Sequence, residues 1–297
     1  MEESSKQIST RLDEIINNNL LISEELRTMF RSFKEVKTEY PFGSLCLMHY
    51  QDYSTTFNEE IYTVAAAIEL IILSFDIIDD LQDQDSDYIW TKTPALSLNV
   101  VLSMLTLAQR LIRESTFEYR YAALNIIEEY TLTSINGQHL DILNLCKDEA
   151  SYLQMIEQKS GSLTAMSAIV GFIMATGNES SEVAQYSKAL GVIQQIKNDI
   201  QSLKVWNNKN DLLNKKFSLP IIYLLSLQND TSIEIKKYYK NMTRELSQYN
   251  INSNLLNSGA IHYALAIKNV YRNKASNIIH HTNLNNKNKD YLKNIMK

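Results

Sequence analysis

The sequence predicts an all-α fold, and three observations carry the prediction. Turn formers are scarce: 297 residues hold only three prolines (Pro41, Pro94, Pro220) and seven glycines, too few to reverse the strands of a β-rich chain. Apolar residues recur at helical spacing, as in Leu20, Leu21, Leu26 and Met29, or Val100, Leu102, Leu105, Leu107 and Leu111. Interruptions are short polar joints such as Gly177-Asn178-Glu179-Ser180-Ser181, with no repeat and no linker. A single domain over residues 1–297 is therefore the simplest organisation. The stretch Asn207-Asn208-Lys209-Asn210-Asp211 and a polar tail from about Asn283 are expected to be flexible.

Composition narrows the function class. A net charge of −5, with acids and bases interspersed, offers no basic face for a phosphate backbone and argues against a nucleic-acid partner. Cys46 and Cys146 form no CxxC pair, so neither a disulfide framework nor a zinc site is expected, and a reducing cytoplasm fits. The five histidines show no HExxH spacing and receive no metal role. Met1-Glu2-Glu3-Ser4-Ser5-Lys6 does not resemble a secretory signal. The longest apolar run, Val64 to Ile78, contains Glu69 and Asp76 and is shorter than the roughly 20 residues of a bilayer span. No transmembrane segment is expected; the reading is a soluble cytoplasmic protein, with peripheral membrane contact left open.

That apolar run leads into Asp79-Asp80-Leu81-Gln82-Asp83. Asp76, Asp79 and Asp83, spaced i, i+3, i+7, share one helical face, with Asp80 one residue round. Their charges repel, and at the C-terminal end of a helix they also meet the negative end of its dipole, so cations are needed to compensate. Clustered carboxylate oxygens suit Mg²⁺, which shares its remaining sites with substrate phosphates. Followed by Asp85 and Asp87, the same run is also what an ordinary solvated acidic helix end looks like. A second polar set, Gln195, Asn198, Asp199 and Ser202, offers oxygen ligands for a further Mg²⁺ if its helix faces the first; alone, it is an ordinary polar face. Lys159 and Lys216, taken singly, are surface lysines.

The order of these segments resembles the trans-isoprenyl diphosphate synthase (polyprenyl synthetase) family across nearly the whole chain. Asp79-Asp80-Leu81-Gln82-Asp83 matches its first aspartate-rich DDxxD element, with Glu69 in the helix before it. Gly137-Gln138-His139-Leu140-Asp141 matches its Gly-Gln-x-x-Asp element, and Lys159-Ser160 its Lys-Thr element. Lys215-Lys216-Phe217-Ser218-Leu219-Pro220 matches its Gly-Lys-x-Thr-Leu-Pro element. The resemblance implies an orthogonal helix bundle of the isoprenoid synthase type around a deep apolar pocket, and a homodimer. It implies two or three Mg²⁺ ions held by Asp79, Asp80, Asp83, Asn198, Asp199 and Ser202, and an allylic diphosphate bound by Lys159, Lys216, Gln138 and Gln195. Lys159, Lys216, Asp79 and Asp83 would be the catalytic groups. The second aspartate-rich element is degraded: Asn198-Asp199-Ile200-Gln201-Ser202 keeps one carboxylate where the family has three.

Two further departures bear on the acceptor. Tyr88-Ile89-Trp90 stands where chain-elongating members carry an arginine pair, and Pro41-Phe42-Gly43-Ser44-Leu45 where they carry Gly-Lys-x-Arg. A second diphosphate needs fixed cations to offset its charge; a neutral acceptor does not. This pattern resembles the ComQ group, isoprenyl transferases that modify a tryptophan of a bacterial quorum-sensing pheromone precursor peptide. Asp83-Gln84-Asp85 before Trp90, the Gly-Gln-His-x-Asp form and Ser258-Gly259-Ala260-Ile261-His262-Tyr263 add to it. The implied reaction ionises the allylic diphosphate and lets indole attack the cation, with residues 207–211 as a candidate lid. Phe75, about 6 Å down the helix from Asp79, would narrow the pocket and favour a geranyl or farnesyl donor, although a plain core phenylalanine fits nearly as well. The alternatives are a short-chain isoprenyl diphosphate synthase, a terpene cyclase and a catalytically silent regulatory subunit. A cyclase would place the acidic third member of its metal triad at Trp206, which cannot ligate Mg²⁺.

Overall fold

Pro41 and Pro94 are the first residues of their helices and Pro220 lies in the first turn of its own. These are positions where a missing N–H leaves no helical bond unmade. The computed structural model describes residues 2–19, 22–83, 88–204, 210–243 and 257–297, and no strand occurs among them. In chain order they form α1 (Glu2–Asn18), α2 (Glu24–Glu35), α3 (Pro41–Tyr53), α4 (Ile61–Gln82), α5 (Pro94–Glu114), α6 (Arg120–Leu143) and α7 (Glu149–Ile156). Then follow α8 (Ser162–Thr176), α9 (Ser181–Ser202), α10 (Leu219–Ser226), α11 (Asp230–Tyr239), α12 (Ala260–His281) and α13 (Asn286–Ile295). A 3₁₀ turn at Ile89–Lys92 precedes α5, and a π-helical turn at Glu157–Gly161 joins α7 to α8. The all-α expectation holds.

The helices gather into two compact units. The first comprises residues 1–131, 163–184 and 283–288; the second comprises 132–162, 185–282 and 289–297. In the first, α4 is the core element: every residue from Val64 to Ser74 is buried. The helices around it pack at backbone distance. A Cβ on Gly43 of α3 would sit 2.8 Å from the Ala65 carbonyl oxygen, and one on Gly171 of α8 would collide with the backbone of Cys46 on α3.

Two helices among the described residues, Ile61–Gln82 and Pro94–Glu114, are long and apolar enough to cross a membrane by length and composition. The first is longer than the run seen in the sequence because the helix continues through the aspartates. Its apolar window is 72% buried inside the protein, as expected of a core helix. The second is 33% buried and leaves Leu96, Leu98 and Leu102 exposed.

In the second unit α7, α9, α10 and α12 share a core of Tyr152, Met155, Ile156, Val192, Ile196, Ile200, Leu219 and Ala264. The tail from Asn283 departs from the expected flexible segment. It forms α13, in which Leu292 is fully buried, as is Met296 four residues on. Lys197 Nζ donates to the Ile295 carbonyl at 2.9 Å. The abundant Asn and Lys are the wet face of an amphipathic helix, and that face dominates the composition.

Gly171→Ala should therefore lower stability by about 1–3 kcal/mol through overpacking against α3. Chemical denaturation would register the loss, and wild-type stability would contradict the close approach.

Candidate functional site

The acidic end of α4 lies in the first unit. Asp76, Asp79 and Asp80 are half-buried, and Asp83 caps the helix, its N–H donating to the Asp79 carbonyl at 2.8 Å while its side chain is exposed. Phe75 is half-buried on the same helix. Lys37 forms an ion pair with Asp76. Asp80 accepts from the indole Nε1 of Trp90 at 2.9 Å. Trp90 is buried, stacked on Tyr88 with ring centroids 4.9 Å apart and met edge-on by Phe33 at 5.6 Å. An aromatic stack, not a pair of cations, thus occupies the segment after the acidic element. Gln84 to Asp87 lie outside the described residues.

The other segment without its family cations is also occupied. Gly43, in the first turn of α3, donates its N–H to the buried Glu69 carboxyl. Burial pushes that carboxyl up to about 8, with the Gly43 N–H and the Lys37 ammonium partly offsetting the rise. The folded state therefore binds the Glu69 proton more tightly than the unfolded chain does. Its contribution to stability is complete below the ordinary value of 4.5 and is lost as pH rises toward about 8.

In the second unit the predicted residues form a connected network. Gly137 on α6 lies against the π-helical turn so closely that a Cβ would collide with the Lys159 backbone, and Ser134 Oγ donates to the Lys159 carbonyl at 2.7 Å. That contact sets Lys159 Nζ 2.7 Å from Asp141 Oδ2, one turn along α6 from Gly137, with half-buried Gln138 between them in sequence. Ser160 Oγ donates to Gln195 Oε1 at 2.8 Å, and Gln195 Nε2 donates to Asp199 Oδ1 at 2.9 Å. Tyr152 on α7 donates its hydroxyl to the other oxygen of Asp199. The π-helical turn is thus fixed on one side by α6 and on the other by α9, an irregularity of the kind found at functional sites.

Asp199 is only 5% exposed. Burial and the neighbouring Asp211 raise its carboxyl to about 7, Asp141 adds to the rise, and the Tyr152 and Gln195 donors oppose it. Asp211 is itself raised by burial, partly relieved by the hydroxyls of Ser202 and Ser218 and by the Lys216 ammonium. Ser202 also reaches the Asp199 carbonyl at 2.9 Å. Asn198 stands apart: it is exposed and accepts from Gln194 at 3.0 Å. At 3.6 residues per turn it marks the edge of the arc whose centre carries Gln195, Asp199 and Ser202.

Lys216 is half-buried in the turn before α10, with Tyr239 Oη donating to its carbonyl at 2.8 Å. Residues 205–209, which include Trp206 and most of the expected lid, lie outside the described residues. Asn210 and Asp211 are not mobile as expected: Asn210 is fully buried, its side chain donating to the Ser202 carbonyl at 3.2 Å and accepting from the Leu212 N–H at 3.0 Å. Tyr152 went unrecognised in the sequence, and Asp211 was read only as the end of the candidate lid; the signal for it as a site acid was its place close before the Lys216 element.

Among the described residues, no three His, Cys, Asp or Glu side chains already converge as a metal site. The donor chemistry still fits a hard divalent cation. The proton affinities of Asp199 and Asp211 are raised by burial, and Asp199 also by the charge of Asp211, which a cation would relieve, and Asp79 and Asp83 share a face one turn apart.

Residues 41–252 match the family model described as polyprenyl synthetase. Tryptophan prenyltransferase ComQ of Bacillus subtilis subsp. natto (strain BEST195) is 32% identical over 269 residues, covering 90% of this chain and 84% of that protein. The polyprenyl synthetase of Streptomyces coelicolor A3(2) has a similar structure, with a TM-score of 0.82 at 15% identity over 100% of this chain and 97% of that one. A polyprenyl synthase of Caulobacter crescentus CB15, complexed with calcium and isoprenyl diphosphate, gives 0.80 at 17% identity over 98% and 93%. These likenesses show the all-helical isoprenoid synthase fold.

Replacing Glu69 by Gln should remove one pH dependence from the fold. Between about pH 4.5 and 8 the wild type should lose up to about 1.4 kcal/mol per pH unit relative to the variant, measured by denaturation at stepped pH. Parallel profiles for the two proteins would contradict the assignment.

Proposed function

The chain belongs to the polyprenyl synthetase family, and from that premise we propose that this prenyltransferase moves a geranyl or farnesyl chain from its diphosphate to a tryptophan of a pheromone precursor peptide in the cytoplasm. The observation that carries the reading is what fills the two places where chain-elongating members keep cations for a second diphosphate. One holds the Tyr88–Trp90 stack and the other the Gly43–Glu69 bond, so neither segment carries a cation of its own, and the nearby Lys37 is paired with Asp76. The likeness to tryptophan prenyltransferase ComQ supports the same acceptor.

Mg²⁺, when bound, would neutralise the leaving diphosphate and favour ionisation of the allylic C–O bond. The chain's own residues would do the rest. Asp79, Asp80 and Asp83, and Asp199 with Asn198 and Ser202, would supply oxygen ligands for the two or three ions. Lys159 and Lys216 hold the diphosphate oxygens, with Gln138 and Gln195 as neutral donors beside them. The indole of the acceptor forms the new C–C bond at the allylic carbon and then releases its ring proton. Phe75 limits the chain length below the carboxylates. The exposed Leu98 and Leu102 of α5, one turn apart on a single face, are where two copies would pair.

Purified protein mixed with Mg²⁺, farnesyl or geranyl diphosphate and a tryptophan-containing precursor peptide should yield a peptide heavier by one isoprenyl group on tryptophan, and chelation should abolish the product. Elongation with isopentenyl diphosphate and no modified peptide would overturn the proposal in favour of a diphosphate synthase. In the same assay Phe75→Ala should shift donor preference toward longer chains by about tenfold, the order expected when a pocket loses one aromatic ring. An unchanged preference would show that Phe75 is only core.

A further inference from the structure

We propose that Asn144 is the positioning residue for Lys216, so that the C-terminal end of α6 sets the placement of both lysines; this rests on the reading of Lys159 and Lys216 as diphosphate ligands. Asn144 follows the last residue of α6 with φ 53°, a left-handed conformation that Asn tolerates better than most residues. Its N–H still donates to the Asp141 carbonyl at 3.0 Å, so it remains tied to the helix. From there its side-chain amide brackets Lys216. Nδ2 donates to the Lys215 carbonyl at 2.8 Å and Oδ1 accepts from the Phe217 N–H at 3.1 Å. The two peptide groups on either side of Lys216 are thereby held by one rigid planar group.

The bracket is reinforced. The Lys216 N–H donates to the Asp211 carbonyl at 2.9 Å, its own carbonyl accepts from Tyr239, and Lys215 takes the left-handed turn at φ 54°. Between Ser134 and Asn144 the same helix also holds Lys159, through Ser134 Oγ on its carbonyl and Asp141 on its ammonium. A lysine side chain has many rotamers, so the fold's strongest control over where an ammonium sits is control of the backbone beneath it. One stretch of helix provides that control for both lysines.

A double-mutant cycle tests this, read as the affinity of the full chain for inorganic pyrophosphate in excess Mg²⁺ by calorimetry. Asn144→Gly keeps the left-handed backbone without strain and removes the bracket. It should weaken binding about tenfold, the order expected from losing the benefit of one charge-assisted bond, and Lys216→Met should weaken it at least as much. In the double variant Asn144→Gly should add no more than about twofold, because it acts only through Lys216. Equal factors in both backgrounds, or wild-type binding by Asn144→Gly while Lys216→Met is impaired, would overturn the positioning role alone. Wild-type binding by Lys216→Met would overturn the diphosphate reading beneath it. If thermal melts show that Asn144→Gly does not fold, Asn144→Asp serves in the same cycle with the same expectations. It keeps the acceptor for Phe217 and loses the donor to Lys215.

Discussion

Buried negative charge is the constraint around which the second unit is arranged. Asp199 is almost wholly out of water, and Asp211 and Asp141 bear on it electrostatically, so Asp199 and Asp211 are harder to ionise than they would be in water. Tyr152, Gln195, Ser202, Ser218 and the two lysines oppose that repulsion in part. A core optimised for stability alone would replace such a set with apolar side chains. Its retention beside two lysines fits a site whose charge is completed by a bound ligand.

Irregular backbone is what brings those groups together. The π-helical turn carrying Lys159 and Ser160, the left-handed residues Asn144 and Lys215, and the turn closed by Asn210 each spoil a regular helix. Each also aims a polar side chain that regular geometry would send elsewhere. Gly137 permits the first of these by letting α6 touch the turn backbone to backbone. In the first unit the charge is held differently: α4 stays regular to its end, and Trp90 and Lys37 engage Asp80 and Asp76 from outside the helix.

Much of this was legible in the sequence, and what was not has identifiable causes. The scarcity of turn formers, the helical spacing of apolar residues and a carboxylate run at i, i+3, i+7 were readable because local rules decide them. The Gly-Gln-x-x-Asp and Lys-Ser elements were legible as a pair, and the structure joins them through Lys159 and Asp141. Tyr152 was not legible, because the π-helical turn between it and Lys159 breaks the spacing by which helical faces are counted. Asp211 was hidden in an Asn-rich stretch with the composition of a mobile loop, and only the burial of Asn210 reveals that its end is fixed. The tail misled for a related reason: average composition conceals two apolar residues four apart.

The two segments where chain-elongating relatives would keep cations hold instead an indole stack and a carboxyl bonded to a helix N-terminus, with the nearby Lys37 paired to Asp76. The proposal beneath all of this is that the carboxylates of each sequence element bind divalent ions when pyrophosphate is present. Counting Mn²⁺ ions bound in the presence of pyrophosphate, by electron paramagnetic resonance, tests it most directly. Two or three ions in the wild type, with at least one lost in Asp79→Asn and at least one in Asp199→Asn, is the predicted result; an undiminished count in either variant would contradict it.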